Sequence, residues 1–222
     1  MTSDFATDPT TLLGYVENAV IEDELTAAAR DRAEDLGAAP IPASVGAALS
    51  VFARLIDART VVEIGTGAGI SGLWLYDGMS PEGVLTTIDI EPEHQRAARE
   101  AFRSAGIAGS RTRLINGRGL DVLPRLTDAA YDLVFIDAPI LDAPQYVVEG
   151  IRVLRPGGMI VVHGALRSAR VADPNARDAE TVALRAATRT IAEDEELTPL
   201  LLPIGAGLLC GHRSRTPVEP PA

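Results

Sequence analysis

Short apolar runs alternate along this chain with longer stretches whose apolar residues recur at helical spacing. From residue 60 onward the pattern predicts strand 60–64, helix 70–79, strand 84–88, helix 92–105 and strand 111–115. It continues with a short helix 119–126, strand 131–136, helix 142–154 and strand 158–163. Pro92 suits the first turn of its helix, and the Arg-Pro-Gly-Gly run at 155–158 reads as a turn. Strands separated by helices imply a mainly parallel sheet, covered on both faces. A less regular stretch, 165–175, leads to a helix over 176–194 and two last strands, 197–202 and 207–212. The connection between those strands, 203–206, is too short for a parallel crossover, so the pair is predicted antiparallel.

Upstream, 11–36 reads as a helix, or two, with apolar positions Leu12, Leu13, Val16, Val20, Leu25 and Leu36. A further helix over 43–57 aligns Val45, Leu49, Phe52 and Ile56 on one face. Packing surface is the expected role of both, and the first is also placed to cover a ligand or a partner subunit. Residues 1–10 are expected to fray, and the proline-bearing tail, 213–222, to be disordered.

Composition narrows the picture. A length of 222 residues with 46% hydrophobic and 23% charged content fits one globular domain spanning 1–222. Its parts would be N-terminal helices over 1–57 and a strand–helix core over 58–212. A net charge of −11 disfavours nucleic acid and anionic membranes as partners and suits a cationic small ligand. All 20 basic residues are Arg; there is no Lys to act as a base. The lone Cys210 excludes an internal disulfide and fits a reducing cytosol. No leader-like pattern and no apolar run of membrane-spanning length is seen, so a cytoplasmic protein is expected.

The chemistry concentrates at 61–69, VVEIGTGAG: a buried strand, a glycine turn and a helix start. Glycines let a ligand approach the main chain closely, and the free N–H groups of the helix start then face it. A dinucleotide fingerprint would need glycine at Ile70. Instead the turn is G-x-G-x-G, with Glu63 two residues ahead of Gly65. The next strand ends on Asp89, placed to accept ribose hydroxyls. Together these features point to an adenosine-containing cofactor, and the E-x-G-x-G-x-G spelling points to S-adenosylmethionine.

Taken together, VVEIGTGAGISGLWL, LTTIDIEPEH, YDLVFIDA, VLRPGG and VADP before a long helix resemble class I S-adenosylmethionine-dependent methyltransferases. The nearer resemblance is to bacterial O-methyltransferases related to caffeoyl-CoA and catechol O-methyltransferases, and it covers roughly 10–212. It implies a Rossmann-like, doubly wound α/β sheet of seven strands with the last antiparallel, and a homodimer. Ile41, Glu63, Gly65, Thr66 and Gly67 would line the methionine side of the cofactor, Gly69 would complete the turn, and Ser71 would bind the carboxylate. Asp89 would hold the ribose, Ile90 would lie on the adenine, and Gly117 and Arg118 would stand beside it. The family's usual acidic adenine contact is absent at Arg118.

Two departures bear on the chemistry. The resemblance implies a metal bound by the strand-four Asp, here Asp137, and by an Asp-Asn pair that here reads His163-Gly164. Asp137 with one imidazole is a poor Mg²⁺ set, so no metal is expected. The family's base, in FIDADK, is also gone: this chain has FIDAPI, with Pro139 and Ile140. His163 is the remaining group of a type suited to general-base work, or else a structural histidine bonded to backbone. His94 and His212 read as surface residues. The expected activity is methyl transfer to the oxygen of a small hydroxylated, aromatic or non-aromatic acceptor. Transfer to nitrogen and cofactor binding without transfer stay open.

Overall fold

The computed structural model describes residues 9–215. The expectations for residues 1–8 and 216–222 lie outside the described residues. Three helices, α1 (Pro9–Asn18), α2 (Glu24–Asp35) and α3 (Ala43–Leu55), lead into β1 (Thr60–Ile64) and α4 (Ile70–Gly78). Then come β2 (Val84–Asp89), α5 (Pro92–Ser104), β3 (Thr112–Asn116), α6 (Gly119–Val122), β4 (Tyr131–Ile136) and α7 (Ala143–Val153). β5 (Leu154–His163), α8 (Ala179–Ala192), β6 (Leu197–Leu202) and β7 (Leu208–Arg213) complete the chain. The sheet order is β3-β2-β1-β4-β5-β7-β6. β7 is antiparallel to both its neighbours, and the pairs among β1 to β5 are parallel. This is the predicted seven-stranded α/β sheet with its last strand reversed.

Successive strand residues point to opposite faces, and in the central strands β1, β2, β4 and β5 both faces are buried, which is why these read as apolar runs. On one face Val61, Leu133, Phe135 and Val161 meet Leu49 of α3, Leu75 of α4 and Phe102 of α5. On the other, Val62, Val134, Ile136 and Ile160 meet Val147 of α7 and Ile191 of α8. Each such side chain contributes roughly 1.5–3 kcal/mol on burial.

Local boundaries shift for identifiable reasons. The 11–36 stretch divides because Asp23 caps α2, accepting the Thr26 N–H at 2.7 Å. α1 also begins earlier than expected, at Pro9. α8 starts at Ala179 rather than 176: Asp178 accepts both the N–H and the hydroxyl of Thr181, at 3.0 and 2.9 Å. β5 begins at Leu154, not 158, because Leu154 pairs with Tyr131 before the register shifts to Leu133–Met159. The Pro-Gly-Gly run is therefore an irregularity inside a strand, not a turn ahead of one. The tail expected from 213 begins inside the sheet. Arg213 ends β7 and pairs with Glu196 at 2.5 Å, and the Ser214 N–H reaches the Glu196 carbonyl.

The two ends of the parallel strands differ. At the starting end, Asp132 Oδ2 accepts the N–H groups of Arg59 and Thr60, both at 2.8 Å, and Oδ1 meets Arg155 at 3.1 Å. One carboxylate thus ties β1, β4 and β5 together. At the finishing end the strands open into glycine turns, which makes it the end available to a ligand.

Candidate active site

β1 runs into Gly65, whose N–H donates to the Ile88 carbonyl at 2.9 Å, while the Asp137 N–H donates to Ile64 at 2.8 Å. The pairing of β2, β1 and β4 therefore continues one residue past the strands and fixes where Asp137 stands. Gly65 has φ +97°, and a Cβ there would sit 2.0 Å from the Asp137 carbonyl oxygen. Only glycine allows so close an approach. Gly69, with φ +93°, starts α4 with no side-chain cap, leaving first-turn N–H groups unclaimed by a side chain.

Beneath the turn lies Glu63, fully buried. Thr87 donates to its Oε2 at 2.6 Å, and Thr87 in turn meets the Thr66 hydroxyl at 2.7 Å. Oε1 has no partner among the described residues. Burial pushes the Glu63 carboxyl up to about 7, against the pull of the Ser71 and Thr87 hydroxyls. Asp89, at the end of β2, accepts the N–H groups of Gly67 and Glu91, each at 2.9 Å. His94 Nδ1 stands 3.4 Å from the same carboxylate. His94, read from sequence as a surface residue, thus lies half-buried against Asp89, one helical turn into α5.

Two hollows follow the turn and share Gly65, Asp89, His94 and Asp137 on their walls. The first, about 150 Å³, is bounded by Ile41, Thr66, Gly67 and Ser71. The second, about 290 Å³, is bounded by Ile90, Gly117, Arg118, Asp142 and Tyr146. Ile90 offers an apolar surface there, being 62% exposed. Arg118 is held by Asp142 at 2.9 Å. The carboxylate missing at 118 is thus present in the same hollow from a position 24 residues on. No sequence signal pairs these two, because the contact joins the start of α6 to the start of α7. Glu63, Gly69 and His163 line neither hollow. Gly69 faces Ala98 and Phe102 of α5 instead.

Asp137 and His163, at the ends of neighbouring strands, meet: His163 Nδ1 lies 3.1 Å from Asp137 Oδ1. The imidazole is only 7% exposed, and Nε2 has no hydrogen-bond partner among the described residues. Nε2 looks toward Gly205, where Pro42 and Val45 also converge. The sequence alternative, a histidine bonded to backbone, is not the arrangement seen. Gly164 adds no side chain, and no group of three or more His, Cys, Asp or Glu placed to hold a metal occurs among the described residues.

Comparison with known proteins gives one consistent answer. Residues 16–214 match the profile of the O-methyltransferase family. Relatives named for O-methyl transfer include one from Mycobacterium sp. strain KMS, 59% identical over 202 residues, covering 91% of this chain and 92% of the relative. Another, from Mycolicibacterium smegmatis, is 58% identical and covers 91% and 96%. Among solved structures, a Corynebacterium glutamicum protein aligns with TM-score 0.87 and 33% identity over 95% of this chain and 99% of its own. The O-methyltransferase TomG of Streptomyces achromogenes, involved in tomaymycin synthesis and solved in complex with S-adenosylmethionine, aligns with TM-score 0.82 and 29% identity over 92% and 96%.

Proposed function

Since the chain belongs to the O-methyltransferase family, we propose that it methylates the oxygen of a small hydroxylated acceptor from S-adenosylmethionine, with His163 as base and no divalent metal in the step. The Asp137–His163 contact at 3.1 Å carries this reading. With Nδ1–H donating to Asp137, the lone pair of Nε2 is left free to take a proton.

The residues present fit the cofactor. The close backbone approach at Gly65, the two hollows along the turn and the carboxylate of Asp89 between them suit an extended, cationic nucleoside. Asp89 would hold the ribose, Ile90 and Asp142 the adenine, and Ser71 with the first turn of α4 the carboxylate. Asp137, which lines both hollows, supplies negative charge toward the ammonium and the sulfonium. When bound, S-adenosylmethionine supplies a methyl group on positively charged sulfur. His163 Nε2 takes the hydroxyl proton of the acceptor, and Asp137 stabilises the imidazolium that results. The donors do not fit a hard divalent ion: one carboxylate and one imidazole already bonded to each other leave most of its oxygen ligands unsupplied.

α1 and the segment after it expose Leu12, Leu13, Tyr15 and Ile21, which supports a homodimer that covers them. A cytoplasmic enzyme acting on a small molecule, away from nucleic acid and membrane, agrees with the charge of −11 and the unpaired Cys210. No helix among the described residues is long and apolar enough to cross a membrane.

The deciding experiment follows labelled methyl transfer across a panel of phenols and catechols, with and without EDTA. Turnover is expected to survive EDTA, and His163→Ala to lower it by ~10²–10⁴ with cofactor affinity unchanged. Turnover that requires added Mg²⁺, or that is untouched in His163→Ala, would overturn the mechanism.

A further inference from the structure

His163 Nε2 is covered as well as unpartnered: it is buried and has no hydrogen bond among the described residues. Gly205, in the connection between β6 and β7, lies against it. A Cβ on Gly205 would stand 3.3 Å from Nε2, 3.2 Å from Pro42 Cγ and 2.8 Å from Val45 Cγ2. Gly205 itself is exposed. On this side, then, the backbone of a glycine stands between the imidazole nitrogen and solvent, and a side chain at 205 would collide with the wall beneath it.

The two sides of this contact are held unequally. Pro42 and Val45 open α3, where the N–H groups of Val45 and Gly46 both donate to the Pro42 carbonyl at 3.1 Å. Ser44, between them, is fixed by Glu17 of α1, which accepts its N–H at 3.1 Å and its hydroxyl at 2.5 Å. The connection, by contrast, is anchored only at its ends. Leu202 pairs with Leu208. The Ala206 carbonyl accepts the Leu166 N–H at 2.8 Å, and the Gly207 carbonyl those of Gly164 and Ala165 at 2.9 and 3.2 Å. Gly205, at the tip, has no backbone hydrogen bond among the described residues. Its φ is +53° and that of Gly207 is +90°. Glycine passes between positive and negative φ at little cost, so the tip can turn outward while both ends stay bound.

We infer that the tip of the connection, residues 203–205, is a lid over His163. Closed, it shields the imidazole from water and keeps it against Asp137; turned outward, it opens Nε2 to the acceptor. The inference rests on the methyl-transfer reading above and says how the base of that reading is reached. A covered Nε2 takes no proton from an acceptor, and the α3 side of the cover is fixed, so the way in is through the connection. Glycine at 205 sets how closely the lid shuts. In Gly205→Ala the added methyl group meets Val45 and the backbone is held at a φ that alanine disfavours, so the lid stands ajar.

The test measures how often His163 is uncovered, by acylation of its ring with diethyl pyrocarbonate at pH 7, mapped by peptide mass spectrometry. The rate in the native, cofactor-free protein is divided into the rate in urea, which gives a protection factor. Hydrogen exchange gives the same quantity for Val161 and Val162 in β5, which open only with the sheet. His163 is expected to be protected, yet at least about tenfold less than those amides, because a lid opens locally. Gly205→Ala should speed His163 acylation at least about tenfold and leave the β5 amides and the melting temperature nearly unchanged. Protection of His163 equal to that of the β5 amides in the parent, a result that needs no variant, would overturn the lid. So would free reaction of His163 in the parent, which would mean that nothing covers it, or an unchanged rate in a folded Gly205→Ala. The base reading fails separately: a lid that opens as expected, with methyl transfer untouched in His163→Ala, would remove the mechanism and with it the purpose assigned to the lid.

Discussion

At the scale of single residues, Glu63 is the sharpest case of a group whose surroundings set its behaviour. Its burial raises the carboxyl from 4.5 to about 7, so the folded chain keeps a proton that the unfolded chain has released. Below pH 4.5 both states are protonated. As pH rises through the window to about 7, only the folded state holds the proton, and stability falls; above it nothing more is lost. The full effect is on the order of 3 kcal/mol. Glu63→Gln should therefore stabilise the cofactor-free protein at pH 8 by up to that amount and change little at pH 4.5. Urea unfolding at the two pH values checks this, and an equal shift at both would refute it. The position of Glu63 was legible in the sequence because strand and turn are local. That of His94 was not: its contact with Asp89 depends on how α5 leaves the second strand.

At the scale of elements, the alternation of strands and helices was legible because the central strands β1, β2, β4 and β5 are buried on both faces. What the sequence could not show was interruption by long-range pairing. Leu154 joins the sheet through Tyr131, so a run with the composition of a turn becomes part of β5. The break between α1 and α2 was hidden by apolar positions that continue across it, although the Asp23 cap marks it. Contacts between helices were equally hidden. Gly78, at the end of α4, lies so near α3 that a Cβ would come within 2.1 Å of the Ser50 carbonyl oxygen. Gly78→Ala must push two helices apart against a rigid backbone, with an expected cost of ~1–3 kcal/mol. Thermal unfolding of the variant measures it, and an unchanged melting temperature would show that the helices separate freely.

At the scale of the whole molecule, tying and binding are assigned to opposite ends of one sheet. Asp132 at the starting end gathers backbone N–H groups and Arg155, far from the glycine turn. Asp132→Ala leaves those donors partly unsatisfied, and ~2–4 kcal/mol of stability should be lost. Below its melting temperature, the variant should bind S-adenosylmethionine as the parent does. A calorimetric titration that shows weakened binding would mean that the two ends are coupled through the strands. The surroundings of His163 are the part that the sequence left unreadable. The end of β5, the turn that follows it and the β6–β7 connection meet there, and the reversed last strand makes them neighbours.

That reversed strand carries the lone thiol. Cys210 sits in β7 between β5 and β6, 1% exposed, and burial pushes its thiol up to about 12. Reagents attack the thiolate, so the sulfur is silent for as long as β7 keeps its place. The molecule thus contains its own clock. The pace of alkylation counts the moments when the closing strand leaves the sheet, and a bound acceptor or cofactor that steadies the β5 and β7 ends would slow it.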